Sequence, residues 1–356
     1  VNGGRATCIV IENDGLFTLA PGVGTEHDDT SMSGPQILDA IKAAGIVGLG
    51  GAGFPTHVKL APRNPEQIDY VIANGSECEP YITCDDQLMR TRSDGIVEGM
   101  RLILRLFPNA KGVIAIEDNK PEAIAAMTTA CASDSNISVL EVKAKYPEGG
   151  ERNLIGVVTG RQLRFGQLPA DLGCVVCNVS SLNAIYRAVC KSEPLMTRLF
   201  TVSGDAVVKP HTMEVRIGTS CRELLEAAGG IKPECTAKKI LCGGPMMGIA
   251  MSTLDVPIAK NNNALTVLAE DEVELAENQM TACLRCGRCG HVCPIGLVPQ
   301  MMAEAAERKD YERYEKKLYG LDCIACGSCT YICPAKRPLM QLFKQTKASI
   351  MAAKRK

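Results

Sequence analysis

Residues 48–60 read GLGGAGFPTHVKL, and the reading of this stretch decides how the first half of the chain is built. Gly48, Gly50 and Gly53 spell G-x-G-x-x-G. That pattern carries meaning only where it follows a strand and opens a helix, so that a pyrophosphate rests on the helix N-terminus. The flanks do not supply that setting. Upstream, Ser33 can cap a helix whose Ile37, Leu38 and Ile41 fall at helical spacing, and Gly45 can end it. Downstream, Pro55 comes two residues after the last glycine and continues a helix poorly. The glycines are therefore expected in a loop after a helix. Their bare backbone can approach a flat or anionic ligand, with Phe54 as an aromatic face and Lys59 as a fixed charge. The alternative is a tight structural turn.

The chain of 356 residues is long enough for two or three domains. Its net charge of −1 gives no electrostatic case for nucleic acid or an anionic membrane as the main partner. The basic end, KASIMAAKRK, reads as a solvated tail. No apolar run reaches the ~18–20 residues that span a bilayer, and no signal peptide is read, so membrane contact is expected only through another protein. The chain begins with Val1, and ATCIVIEND (6–14) reads as a strand entered midway, so an N-terminal portion is expected to precede it. Trp is absent, which leaves Phe54 and a few tyrosines for stacking.

Eighteen cysteines with no export signal point to metal rather than disulfides. Eight form two matching runs, CLRCGRCGHVCP (Cys283, Cys286, Cys289, Cys293) and CIACGSCTYICP (Cys323, Cys326, Cys329, Cys333). Both read C-x2-C-x2-C-x3-C-P, the bacterial ferredoxin pattern for [4Fe-4S] clusters, in which the fourth cysteine serves the other cluster. The expected sets are therefore crossed: Cys283, Cys286, Cys289 and Cys333 on one cluster, Cys323, Cys326, Cys329 and Cys293 on the other. A pair of zinc knuckles or unligated thiols is the alternative, and two copies with one internal spacing argue against it. The intervening PQMMAEAAERKDYERYEKKLYGL has the composition and charge spacing of helix. Cys174 and Cys177 form a further C-x-x-C, read as small core residues in a buried strand with no helix starting at the motif.

From Gln67 to Val142 the pattern runs strand, helix, strand, helix, strand, an α/β unit with a largely parallel sheet. Ligands of such sheets sit beyond the carboxyl ends of strands. Asn74, Glu77 and Glu79 lie at one such end, Asp118, Asn119 and Lys120 at another. YPEGGERNL places Glu151 in the first turn of a helix after a Gly-Gly turn. Residues from about Leu199 to Gly248 run strand, strand, helix, strand, like a small β-grasp domain, and its His211 reads as a surface or structural histidine.

In this order the motifs resemble the C component of the Rnf complex, the ion-translocating ferredoxin:NAD oxidoreductase. The first half is also similar to the NADH-binding flavoprotein subunit of respiratory complex I, which has a GAGFPTG-x-K loop, an N-x-D-E-x-E-P segment and a G-E-E-T turn. The resemblance implies an α/β chain: residues 1–32 a remnant of an N-terminal barrel-like domain and linker, 33–198 a Rossmann-like FMN/NADH-binding domain, 199–270 a β-grasp domain of the soluble-ligand-binding type, and 271–356 a helical ferredoxin domain. It implies that Gly50, Gly51, Ala52 and Gly53 line FMN and that Lys59 holds it. Asn74, Glu77 and Asn178 match other flavin-site positions, Phe54 and Glu79 those that stack and hydrogen-bond the nicotinamide nucleotide, and Glu151 the first glutamate of the G-E-E turn. Arg152 and Ser76 depart from the family, replacing the second glutamate and the aspartate. The paired cluster motifs favour the Rnf protein over its complex I relative, which carries one.

The implied function is hydride exchange with NAD(H) at FMN, converted to one-electron transfer through the two clusters. Ferredoxin oxidation would thereby be coupled to NAD reduction and ion translocation by partner subunits. Those partners include a ferredoxin-accepting iron-sulfur subunit and integral membrane subunits, at the cytoplasmic face of the bacterial membrane. Catalytic side chains are not expected, because hydride transfer needs no acid or base. Three rival readings stand beside it. The first is a soluble flavin/iron-sulfur reductase such as cobalamin reductase, in which the barrel follows the clusters. The second is an electron wire or docking subunit without flavin, and the third a ligand-binding β-grasp module.

Overall fold

The computed structural model describes Ile9, residues 11–27 and residues 30–354. The strand expected at 6–14 falls partly outside them. Ile9 and residues 11–14 are not in a strand.

Helix α1 (Gly34–Ala43) starts where Gln36 reaches back to the Ser33 amide at 2.8 Å, a reciprocal cap, and buries Ile37 and Ile41. The glycine loop follows, closed by the single turn α2 (Thr56–Lys59). It is a loop after a helix, as its flanks require. Then come β1 (Tyr70–Gly75), α3 (Cys84–Thr91), α4 (Ser93–Leu104), β2 (Lys111–Glu117), α5 (Pro121–Ala130), β3 (Ile137–Val142), α6 (Glu151–Thr159), β4 (Cys174–Asn178) and α7 (Val179–Lys191). The four strands are parallel, in the order β3-β2-β1-β4.

Both faces of this sheet are covered, which is why its strands read as continuous apolar runs. Val71 and Ala73 of β1 face the larger core with Met100, Ile103, Leu182 and Ile185. Ile72 points the other way, onto Leu154 and Ile155 of α6. Helices α4 and α7 press closely together because Gly99 has no side chain: a Cβ there would stand 2.1 Å from the Leu182 carbonyl oxygen. Cys174 and Cys177 are buried in β4, as expected, but a helix does begin just past the motif, capped by Asn178.

The second sheet takes β5 (Thr197–Ser203), β6 (His211–Arg216), β7 (Lys239–Cys242), β8 (Ile249–Ala250) and β9 (Ala264–Leu268) in the order β6-β5-β9-β7-β8. Helix α8 (Cys221–Ala227) lays Leu224 and Leu225 on Phe200, Val202 and Val267. Strand β9 runs parallel to β5 through the middle and completes the β-grasp arrangement.

The remainder is helical: α9 (Glu272–Glu277), α10 (Arg288–His291), α11 (Pro299–Glu307), α12 (Ser328–Tyr331) and α13 (Leu339–Lys354). The segment between the cysteine runs is not one helix. Helix α11 stops at Glu307, Lys309 takes a positive φ of 56°, and a π-helical turn spans Arg313–Lys317. Tyr314 breaks the regular spacing by turning inward among Met302, Leu321, Leu339 and Phe343. No described helix is long and apolar enough to cross a membrane.

Candidate functional site: a glycine-lined crevice and two cysteine loops

The glycine loop is tied down on every side. Gly48 N donates to Phe54 O at 2.8 Å and Gly53 N to Gly48 O at 3.1 Å, so the loop closes on itself. Leu49 N donates to Ser181 Oγ of α7, and Asn261 Nδ2 to Gly51 O. Gly50 lies against Asn178, where a Cβ would meet the side chain at 3.3 Å. Gly51, with φ of 113°, faces open space and presents bare backbone. Phe54 is half exposed beside it.

The loop lies against the carboxyl end of β4, where Gly50 meets Asn178. Lys59 Nζ donates to Val176 O at 2.8 Å and pairs with Glu151 at 3.6 Å, which places the two candidate charges together. Asn74 Nδ2 donates to Gly149 O at 2.8 Å, stitching the end of β1 to the YPEGG turn. Asp118 Oδ1 accepts from Ala144 N, while Lys120 lies near enough to Glu117 and Asp85 to favour their charged forms.

Glu77, Glu79 and Asn178 are already engaged by protein. Glu79 accepts from Met246 N at 3.1 Å and Met247 N at 2.7 Å, clamping the turn after β7 to the crevice. Asn178 accepts from Ser180 N and donates to Asp85 Oδ2 at 2.6 Å. Glu77 caps α3, accepting from Asp85 N at 2.9 Å, Asp86 N at 3.1 Å and Cys84 Sγ. Asp85 also accepts from Ser180 Oγ at 2.7 Å. The Asp85 side chain is thus the buried centre of a polar cluster that motif matching passes over.

Burial, and next the charge of Asp85, push Glu77 up to about 7; burial likewise raises Asp85. Lys120 and the buried Arg198 oppose this at Asp85, and the Arg198 guanidinium donates to Leu199 O, Lys260 O and Leu49 O. The folded state holds the Glu77 proton more tightly than the unfolded chain. The stability this contributes is therefore complete below a pH of about 4.5 and lost as pH rises toward 7. Glu77→Gln, an isostere of the protonated form, is expected to make the fall in apparent Tm across that window shallower than in wild type. Parallel slopes in both proteins would exclude the assignment.

The crevice suits a polar, planar group. Ser76 Oγ and Glu117 Oε2, near the carboxyl ends of β1 and β2, are buried with no partner, and a ligand edge would supply one. In the sequence Glu117 reads as one more charge at a strand end, so nothing there marks it out.

The cysteine loops fit clusters in the crossed sense. Cys283, Cys286, Cys289 and Cys333 line one cavity with Leu284 and Leu339. Cys293 lies close to Cys323 and Cys329 of the second run, whose thiols are raised by burial. The second loop is docked on the crevice wall. Tyr146 Oη donates to Cys326 O at 2.6 Å, and Arg152 Nη1 donates to the backbone and side chain of Asp322, both at 3.1 Å. Arg152 thus occupies the place of the family's second glutamate and anchors a cluster loop.

Comparison with known proteins agrees with this layout. Residues 41–187 match the Nuo51 FMN-binding domain, 199–250 the SLBB domain and 282–338 the 4Fe-4S dicluster domain. The chain is 43% identical over 350 residues to the C component of the proton-translocating ferredoxin:NAD(+) oxidoreductase complex of Clostridium ljungdahlii, covering 98% of itself and 76% of that protein. It is 41% identical to the Na(+)-translocating counterpart of Acetobacterium woodii, covering 100% of itself and 79% of that protein. The chain belongs to the family of C components of ion-translocating ferredoxin:NAD(+) oxidoreductase complexes. It spans 45% of the longer family member of Pseudomonas aeruginosa, at 42% identity and covering 100% of itself. A chain of an NAD+-reducing [NiFe]-hydrogenase shares the fold, with a TM-score of 0.62 at 22% identity over 89% of this chain and 63% of that one. An FMN-binding and a dicluster domain in one chain of this family make it an oxidoreductase subunit.

Proposed function

We propose that this chain is the NAD(H)-reactive subunit of a membrane-associated electron-transport complex, in which single electrons pass between the crevice and two [4Fe-4S] clusters. FMN, when bound, takes or gives a hydride and exchanges its electrons singly with iron-sulfur centres. The observation that carries this reading is the docking of the second cysteine loop onto the crevice wall through Tyr146 and Arg152.

In this reading Gly50, Gly51, Ala52 and Gly53 let a ring lie on bare backbone, and Lys59, held by Val176 O and Glu151, supplies positive charge. Asn74 and Asn178 shape the wall, while Phe54 is free to stack on a nicotinamide nucleotide. Glu77 and Glu79 act by positioning, since their oxygens hold α3 and the turn after β7. Cys283, Cys286, Cys289 and Cys333 would hold one cluster and Cys323, Cys326, Cys329 and Cys293 the other. The flavin, β-grasp and cluster domains divide near residues 198 and 270, and the chain works at the cytoplasmic face through membrane-embedded and ferredoxin-accepting partners.

Anaerobic titration of the cluster-replete chain with NADH tests it, following flavin absorbance near ~450 nm together with cluster EPR. Stoichiometric FMN that bleaches, with a cluster gaining signal, is the expected result. Iron and sulfide for two clusters with no flavin, and no response to NADH, would overturn it.

A further inference from the structure

The hydroxyl of Tyr314 is buried with no hydrogen-bond partner among the described residues. The residue is fully enclosed in the helical core, its ring centroid 6.2 Å from that of Phe343. A phenylalanine would fill that place and leave no polar atom to desolvate. The chain instead seats a tyrosine there with two devices. The π-helical turn Arg313–Lys317 has Tyr314 as its one buried residue, and turns of this kind are rare and frequently mark functional sites. Gly320 then gives the ring its slot: a Cβ there would stand 2.2 Å from Cε1 and 2.4 Å from Cζ, the carbon that bears the hydroxyl.

Cys323 and Cys329 pack against this core and lie close enough to Tyr314 for their charges to act on its phenol. A phenol keeps its proton at neutral pH, so what it offers them is a donor. Other sulfurs of the second set already have polar neighbours. Cys323 Sγ accepts from Ala325 N at 3.4 Å, Cys293 Sγ accepts from Leu297 N at 3.3 Å, and Cys326 Sγ lies 3.4 Å from Ser328 Oγ. Cys329 Sγ has no donor among the described residues. The cavity of the first set has Leu284, Gln300 and Leu339 on its walls and no tyrosine, so the phenol serves one set alone.

We propose that the Tyr314 hydroxyl donates a hydrogen bond to sulfur at the second set of cysteines, Cys329 first among them, and thereby raises the reduction potential of the cluster held there. Reduction adds one electron and so one negative charge. A donor directed at sulfur stabilises the reduced form more than the oxidised one. The proton stays on the phenol oxygen, and no bond is made or broken. Tyr314 thus tunes where the electron rests without carrying it. The inference rests on the cluster reading proposed above.

The test is an anaerobic redox titration of the holo chain followed by EPR, with iron and sulfide assayed in every preparation. Tyr314→Phe keeps the ring and its packing and removes only the donor. The cluster whose signal changes in Cys329→Ser is expected to become about tenfold harder to reduce in Tyr314→Phe, a fall of about 59 mV for one electron, while the other cluster keeps its potential. A ring-fluorinated tyrosine placed at position 314, a stronger donor, should move the same cluster the opposite way. Phe343→Leu disturbs the same core without touching the hydroxyl, and should lower Tm with both potentials unchanged. Unchanged potentials in Tyr314→Phe, a shift in the other cluster, or an equal shift from Phe343→Leu would each overturn the proposal. Should Tyr314→Phe lose its iron, the fluorotyrosine chain decides, and no upward shift there overturns the proposal. Wild-type iron too low for two clusters would fail the cluster reading itself, and this proposal with it.

Discussion

Arg198→Met is expected to cost about 3–5 kcal/mol of stability, the range for stripping the partner from buried charge. Arg198 is 5% exposed and, with Lys120, is a cation close enough to Asp85 to favour its charged form. Methionine keeps much of the volume but supplies no donor, so the carbonyls of Leu49, Leu199 and Lys260 lose their partners as well. Two of those carbonyls lie on different walls of the crevice, Leu49 in the glycine loop and Lys260 just before β9. The damage should therefore reach ligand binding besides stability. Denaturant unfolding followed by far-UV circular dichroism reads the loss. Part of it should be recovered as pH falls, because protonated Asp85 and Glu77 no longer need the cation. A loss under about 1 kcal/mol would mean that the guanidinium is not the charge partner of this cluster.

Much of the architecture is legible in the sequence because it rests on local rules. The apolar runs of β1, β2 and β4, the capping serine of α1 and the paired cysteine spacing each carry their own cause. Helix α3 is not legible, because CDDQLMRT takes its cap from Glu77, seven residues upstream, and not from a neighbouring side chain. Strand β9 is hidden for a related reason: a short apolar run becomes a strand only by pairing with β5 and β7, which lie about 60 and 25 residues earlier. At the site, the residues proposed to approach a ligand are visible in the motifs. The ones that hold those residues in place, Asp85, Ser180, Arg198, Tyr146 and Asp322, are not, since each acts through a partner distant in sequence. Glu79 has a structural part that its motif does not show, since its two oxygens also accept from the β-grasp turn.

Gly149→Ala is expected to empty the crevice of flavin while leaving the chain folded. A Cβ at Gly149 would stand 2.2 Å from the Ser76 carbonyl oxygen and 3.5 Å from Cys78 Sγ. The first of these is backbone and cannot rotate aside, so the YPEGG turn must move off the end of β1. That movement breaks the Asn74–Gly149 hydrogen bond of 2.8 Å and shifts Glu151, the partner of Lys59. Overpacking of this kind costs about 1–3 kcal/mol, which the two covered faces of the sheet can absorb. The FMN content of the purified chain should fall more than tenfold, with iron content retained. Gly156→Ala, in the helix α6 that follows this turn, is the control. Its nearest contact would be an ordinary 3.6 Å to Arg161 O, and alanine in a helix interior should add about 0.5–1 kcal/mol. If both variants keep stoichiometric flavin, the turn at Gly149 does not border the cofactor. If both lose it, the effect belongs to α6 as a whole and not to the close approach at Ser76.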